Sequence, residues 1–222
     1  MTDLQRTPLP RNQVLRGDCL NVMRGLRSNE ANLILTDPPY ITRYHDRNGR
    51  SVTNDDKADW IVPAFGEMFR ILKPASFCVS FYGWNKVDIF MEAWRKAGFR
   101  PVGHIVFRKR YASKIGFLKA EHEAAYLLAK GDVACPVEPV PDVLDWRYTG
   151  NRLHPTQKPV DSLKPLVQAF SPQGGIVLDP FCGSGSTLVA AAELGRDYLG
   201  IEIEESHHKT ATHRMATLAR AT

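Results

Sequence analysis

The stretch Gly175-Ile-Val-Leu-Asp-Pro-Phe-Cys-Gly-Ser-Gly-Ser-Thr187 decides the fold, because it joins a short apolar strand, a glycine-rich turn and the start of a helix. Residues 176–178 are β-branched residues and Leu, as in a buried strand. The helix continues as the Ala-rich run 188–194 and ends at Gly195. Gly183 and Gly185 let the backbone approach a ligand closely, and the helix N-terminus offers free N–H groups.

This turn has neither of two common phosphate-binding patterns. Its glycines lack the G-x-G-x-x-G spacing, and no Gly-Lys-Ser/Thr follows. Glu202 lies seventeen residues beyond Gly185, at the end of the next predicted strand, 198–203. An acid at about this distance can accept hydrogen bonds from two ribose hydroxyls. Together the two features predict an adenosine-bearing cofactor, with a tight strand-to-helix turn as the alternative.

A second motif, Thr36-Asp37-Pro38-Pro39-Tyr40, follows the apolar run 31–35. It places a carboxylate where a strand ends, which is where ligands bind in α/β sheets. Because proline fixes φ and has no N–H, the carbonyl groups of this turn remain free acceptors. A carboxylate and a carbonyl beside an aromatic ring suit a planar ring that carries an NH2 group. A structural Pro-Pro turn with Asp as a cap is the alternative.

Strands alternate with helices along the chain. Short β-rich runs are predicted at 31–36, 76–81, 176–178 and 198–203, and helices at 60–72, 87–97, 186–194 and 204–221. This order predicts an α/β fold with a single, mostly parallel sheet and helices on both faces. Residues 102–109 and 123–129 lack a helix-length connection, so an antiparallel pair at one edge is expected. The length of 222 residues favours one domain, 1–222.

A basic run indicates a polyanionic partner. The net charge is only +5, yet residues 95–119 hold eight Lys or Arg and no acid. Arg108, Lys109, Arg110 and Lys114 are therefore predicted to contact nucleic-acid phosphates. A solvated basic face is the alternative.

Composition excludes several other classes. The four cysteines form no C-x-x-C pair, so neither a disulfide framework nor a metal site is predicted. No window approaches the roughly 18 apolar residues of a membrane-spanning helix. Residues 1–18 lack the apolar core of a signal peptide. These features predict a soluble, cytoplasmic protein.

Together, the motifs at 37–40 and 179–187 resemble those of the S-adenosylmethionine-dependent DNA amino-methyltransferases, which methylate N6 of adenine or N4 of cytosine. Because Asp-Pro-Pro-Tyr comes first, the order resembles the permuted β class, with a Rossmann-like fold. Further segments resemble motifs of that class in the same order: 17–20, 70–74, 122–123 and 154–159.

The resemblance implies the roles of individual residues. Asp37 and the carbonyl of Pro38 would accept the amine hydrogens, Pro39 would fix the turn, and Tyr40 would stack on the flipped base. Asp18 would meet the cofactor adenine and Glu202 the ribose, and Thr156 and Lys158 would lie near the methionine carboxylate. The full set implied for the cofactor is Asp18, Cys19, Asp179, Phe181, Gly183, Ser184, Gly185, Glu202, Thr156 and Lys158.

The resemblance also implies the reaction: direct methyl transfer from S-adenosylmethionine to adenine N6 in double-stranded DNA, with base flipping. Cytosine N4 is the nearest alternative, because the acceptor pair fits either amine. Asp37 favours adenine, since the cytosine enzymes more often carry Ser at this position. An RNA methyltransferase and a catalytically silent DNA-binding protein also remain open. Residues 41–59 and 110–151 are the candidate target-recognition loops, and their shortness predicts relaxed or short-site specificity. A homodimer and a restriction endonuclease partner are both compatible with the family.

Overall fold

The computed structural model describes residues 2–42, 55–147 and 157–220. Within these ranges, eight strands form one sheet in the order β1-β8-β7-β2-β3-β5-β4-β6. β5 alone runs antiparallel to its neighbours, and the other seven share one direction. The strands are β1 Gln13–Arg16, β2 Ala31–Thr36, β3 Leu72–Phe81, β4 Arg100–Arg108, β5 His122–Lys130, β6 Val143–Asp145, β7 Ile176–Asp179 and β8 Asp197–Glu202.

Helices cover both faces of the sheet, so the predicted α/β class is confirmed. One buried cluster joins the sheet to the first three helices, and a second joins it to the last three. No helix in the described part of the chain is long and apolar enough to cross a membrane. The helices are α1 Cys19–Arg24, α2 Ile61–Ile71, α3 Val87–Ala97, α4 Val160–Phe170, α5 Ser186–Glu193 and α6 Glu205–Ala219.

The antiparallel pair is confirmed, but its predicted place at the sheet edge is wrong. β4 and β5 pair from Arg108↔His122 to Arg100↔Ala129, and β5 also pairs with β3. β6 then adds to the outer side of β4, with Val106 opposite Val143. A three-residue strand in a proline-rich segment has too little periodicity to be seen in sequence.

The neighbours β2 and β7 mark the point where the strand order reverses. Leu33 pairs with Val177, and the chain then continues to β3 on one side and to β8 on the other. In open α/β sheets, ligands bind in the crevice at the carboxyl ends of such a pair. The two motifs found in the sequence follow these two strands.

Gly200 in β8 brings α5 close to this part of the sheet. A Cβ atom at this position would lie 2.5 Å from Cδ1 of Leu188 and 2.9 Å from Sγ of Cys182. Both contacts are shorter than real Cβ atoms show, so the packing requires glycine here. This close packing fixes the glycine-rich turn over the end of β8.

Candidate active site

Asp37 lies directly after β2 and accepts two side-chain hydrogen bonds. The hydroxyl of Tyr40 donates to Oδ1 at 2.7 Å, and Nζ of Lys158 donates to Oδ2 at 2.5 Å. The side chains of Asp37 and Lys158 are only 20% and 8% exposed. Burial raises the pKa of Asp37, and the charge and hydrogen bond of Lys158 act in the opposite direction. The result is a half-buried carboxylate held in one orientation.

Three aromatic rings, Tyr40, Phe81 and Trp146, surround the ammonium group of Lys158, and we call them the aromatic box. Nζ lies 4.8 Å from the ring centre of Phe81, 5.4 Å from Tyr40 and 6.0 Å from Trp146. At these distances each ring face attracts the cation. Among the described residues, the buried indole N–H of Trp146 has no hydrogen-bond partner.

A second buried lysine lies on the other side of the same box. Nζ of Lys109 is 5.3 Å from the ring of Trp146 and forms an ion pair with Glu123. The negative charge of Glu123 contributes to the raised pKa of Asp37. Two lysine–carboxylate pairs therefore share one partly desolvated environment.

The backbone around Tyr40 is tightly constrained. Ile41, the next residue, has a φ of 58°, which β-branched residues rarely adopt. Such conformations cost about 1–3 kcal/mol and concentrate at functional sites. Gly83, in the turn after β3, packs so closely that a Cβ atom there would lie 2.9 Å from Cβ of Tyr40. The backbone conformation at Ile41 and the close packing of Gly83 therefore both constrain the turn that carries Asp37.

Asp179, at the end of β7, is buried and accepts hydrogen bonds from both turns. Its Oδ1 accepts hydrogen bonds from the hydroxyl of Thr36 at 3.0 Å and from the N–H of Phe181 at 3.1 Å. Burial raises its pKa to about 7. The carboxyl group of Asp179 therefore links the two turns, and its predicted contact with the cofactor stays a prediction.

The glycine-rich turn is hydrogen-bonded to the carboxylate of Glu202. Gly183 and Gly185 have φ values of 52° and 81°. The N–H of Gly183 donates to Oε2 of Glu202 at 2.8 Å, and the N–H of Glu204 donates to Oε1 at 2.8 Å. Each carboxylate oxygen has two lone pairs, so both oxygens can still accept a further hydrogen bond.

The end of β1 lies beside the end of β8. Gly17 donates its N–H to the carbonyl of Glu202 at 2.9 Å, and Asp18 caps α1 by accepting from the N–H of Asn21 at 3.0 Å. Cys19 is buried, and its pKa is raised to about 12 by burial and by the charges of Asp18 and Glu202. The structure therefore brings together acids predicted from distant parts of the sequence.

Two further features concern the same crevice. The ring of Trp60, at the start of α2, lies 5.2 Å from that of Phe181, forming an aromatic pair that the sequence analysis missed. Cys182 is buried, and burial raises its pKa well above the usual range, which disfavours the nucleophilic thiolate. Ser184 is also buried, and its carbonyl accepts from Arg214.

The predicted phosphate contacts divide into two groups. Arg108 and Arg110 are exposed, with guanidinium nitrogens 3.2 and 3.8 Å from Asp145, and Lys114 is exposed. Lys109 is buried against Trp146 and paired with Glu123, so it differs from the other three, and its phosphate contact stays a prediction. Thr156, His154 and residues 43–54 of the candidate recognition range 41–59 lie outside the described residues.

Sequence reasoning also missed the network around Asp37. It assigned Lys158 to the cofactor, whereas the structure places Lys158 against Asp37, and it gave no role to Trp146 or Glu123. The one available signal was that His122-Glu123 resembles a motif of the class. In the described ranges, no three His, Cys, Asp or Glu side chains group as metal ligands.

Comparisons with known proteins identify the family of this chain. A family model described as DNA methylase matches residues 31–147 and 139–213. A protein of Escherichia coli (strain K12) that bears the name methylase YubD is 52% identical over 207 residues, covering 93% of this chain and 91% of its own length.

Two solved structures share the fold. The M1.HpyAVI–SAM complex (SAM, S-adenosylmethionine) superposes with a TM-score of 0.74 at 20% identity, covering 91% of this chain and 98% of that one. The cytosine-N4-specific PvuII DNA methyltransferase superposes with a TM-score of 0.75 at 14% identity, covering 93% and 87%. The family match and the E. coli relative span most of the chain, and the protein therefore belongs to the N6/N4 DNA methylase family.

Proposed function

We propose that this DNA methyltransferase transfers a methyl group from S-adenosylmethionine to the exocyclic N6 amine of adenine in double-stranded DNA. One observation carries the proposal: the carboxylate of Asp37, oriented by Tyr40 and Lys158, lies at the carboxyl end of β2. The glycine-rich turn and Glu202 lie across the switch point from it. An amine acceptor and an adenosine-binding crevice thus share one edge of the sheet.

The residues of the crevice fit S-adenosylmethionine. Glu202 has lone pairs left for the two ribose hydroxyls, and Asp18 lies beside it for the adenine. Phe181, paired with Trp60, offers an aromatic face, and Gly183 leaves room for close approach of the backbone. When bound, the cofactor supplies a methyl group on a positively charged sulfur.

Asp37 makes the target amine a better nucleophile. The lone pair of an exocyclic amine is delocalised into the ring, and the amine is weakly nucleophilic for that reason. Accepting an N–H at Asp37 and another at the carbonyl of Pro38 favours a nitrogen that holds its lone pair outside the ring. The same acceptors stabilise the positive charge that develops on this nitrogen, an effect typically worth about 3–4 kcal/mol per preorganised group. The nitrogen would take the methyl group directly as the carbon–sulfur bond breaks, leaving S-adenosylhomocysteine, and the amine would lose one proton to solvent. No cysteine is assigned a role in this proposal.

The target base must leave the duplex to reach Asp37, because its amine lies inside the base stack. Tyr40 provides the ring on which the extruded base stacks. The candidate recognition loops lie within residues 41–59 and 110–151 of a single domain, outside the strands β5 and β6. Their small size leads us to expect relaxed or short-site specificity.

Cytosine N4 is the second candidate, because an acceptor pair fits either amine. The cytosine-N4-specific PvuII enzyme has the same fold. Asp at position 37 favours adenine, since Ser is more common at this position in cytosine enzymes. A homodimer and a restriction partner stay predictions.

Product analysis tests the proposal. Purified protein is incubated with S-adenosylmethionine and unmethylated DNA, which is digested to nucleosides and analysed by mass spectrometry, with an Asp37→Ala variant as control. N6-methyladenine that depends on Asp37 is the expected result. N4-methylcytosine would keep the mechanism and change the substrate. No product on DNA, despite cofactor binding, would overturn the proposal in favour of RNA or a silent binder.

A further inference from the structure

The connection between β4 and β5 ends in three exposed apolar side chains. Ile115 and Leu118 are 74% and 84% exposed, and Phe117 is fully exposed. We call residues 115–118 the hairpin tip. The backbone that carries it is ordered: Ser113 donates to the carbonyl of Ala120 at 2.9 Å, and a bridge joins Ile115 to Lys119. An ordered hairpin therefore holds apolar groups in water.

The hairpin lies on the same edge of the sheet as the active site. β4 runs parallel to β3 and β2, because β3 and β4 are both antiparallel to β5. Their carboxyl ends therefore share one edge. Asp37 follows β2, and the hairpin follows β4.

Contacts connect the base of the hairpin to Asp37. Nζ of Lys109 donates to the hydroxyl of Ser113 at 3.2 Å and pairs with Glu123. The same ammonium group lies over Trp146, whose ring also contacts Lys158, the partner of Asp37. Lys109 thus anchors the hairpin to the aromatic box.

The charges beside the hairpin tip fit a polyanion. Arg110, Lys114 and Lys119 are exposed, and the exposed acid of the same hairpin is Glu121. Proteins that distort duplex DNA combine such cations with apolar side chains that insert between base steps. A cationic hairpin with a bare apolar tip beside a base-binding site has this composition.

We propose that the hairpin tip inserts into the base stack of duplex DNA at the target position and fills the gap left by the flipped base. This inference rests on the proposed function and adds the element that opens the duplex. Phe117 and Leu118 supply the apolar surface, and Lys109 fixes the direction of the hairpin relative to Asp37.

Kinetics on paired substrates test this inference. The methylated site is first mapped with the wild-type protein, and short duplexes then carry that site with either a matched or a mismatched base opposite the target. A mismatch lowers the unpairing cost of base flipping. Phe117→Ala and Leu118→Ala are expected to lower kcat/KM about tenfold on the matched duplex and under about threefold on the mismatched one.

The control is Leu4→Ala, which removes an equally exposed leucine (93%) in the N-terminal segment. It is expected to leave both rates unchanged. Equal losses of kcat/KM on both duplexes would make the tip an ordinary surface contact and overturn the inference. No loss of kcat/KM on either duplex would also overturn it. A change in oligomeric state by light scattering would assign the tip to a second copy of the chain instead. If the wild-type protein methylates neither duplex, the proposed function fails, and the inference fails with it.

Discussion

The two halves of the proposed active site, one for the cofactor and one around Asp37, are built in different ways. The cofactor half takes Gly183 and Glu202 from the consecutive elements β7, α5 and β8, and backbone N–H groups hold its central carboxylate. The half around Asp37 is held by side chains, and its Lys158 comes from a segment 121 residues away. A binding crevice defined by backbone geometry is encoded locally, whereas an oriented catalytic carboxylate depends on long-range packing.

The largest effect is expected from Asp37→Asn, which is compared with the same substitution at Asp179 in the other half. Asp37 and Asp179 each precede a proline at the end of a neighbouring strand. Asp37→Asn removes the charge that stabilises the methylated amine, so kcat should fall at least about a hundredfold, as for other preorganised groups. Single-turnover methyl transfer measures this fall, and calorimetry should show cofactor binding largely intact.

Asp179→Asn is the matched control. The amide oxygen can still accept from Thr36 and Phe181, and burial already disfavours the charged form of the native carboxyl by raising its pKa. Little change in kcat is expected. If both variants lose the same activity, the two aspartates are not divided between chemistry and structure as described.

The difference between locally encoded features and long-range packing also explains which parts of the structure could be predicted from the sequence. The strand 31–36 and the helix start at Ser186 were predicted correctly, because periodicity, glycine and proline act locally. α4 was missed, since Pro165 lies inside it and a proline-rich segment precedes it. The contact of Lys158 with Asp37 was unpredictable, because the cofactor carboxylate and Asp37 are both anions expected at the same sheet edge.

A smaller effect is expected from Glu202→Gln in the cofactor half. The change removes the negative charge and places an amide donor near the N–H groups of Gly183 and Glu204. Lost hydrogen bonds to a charged group predict a Kd for S-adenosylmethionine about 10- to 100-fold higher. Glu204→Gln, two residues away and exposed, is the control in the same calorimetric titration. An unchanged Kd for Glu202→Gln would remove this residue from the ribose contact.

Lys158→Met tests how the other half controls its carboxylate. Lys158 counteracts the rise that burial causes in the pKa of Asp37, so its loss should raise that pKa further. In the proposed mechanism Asp37 acts in its ionised form, which predominates only above its pKa. The acid limb of the single-turnover rate should therefore move to higher pH, and activity near neutral pH should fall.

Lys164→Met is the control for this pH profile, because it removes a lysine of α4 that pairs with Asp161 and Glu193 instead. Its profile should match that of the wild type. An unmoved acid limb in Lys158→Met would mean that this lysine contributes packing in the aromatic box and leaves the titration of Asp37 unaffected.

The smallest effect is expected on the outer surface, where Arg110 and Lys114 are exposed while Lys109, between them and the aromatic box, is buried. Each phosphate contact that is lost should reduce the slope of log K against log salt by about 0.9, so Arg110→Gln with Lys114→Gln should flatten it by about two. Lys109→Gln should leave the slope unchanged and lower methyl transfer, because this ammonium orients Glu123 and Ser113. The reverse pattern in a DNA-binding titration would place Lys109 on the phosphates after all. In the expected pattern the three neighbouring cations divide by burial: the exposed pair, Arg110 and Lys114, sets DNA affinity, and the buried Lys109 sets catalytic geometry.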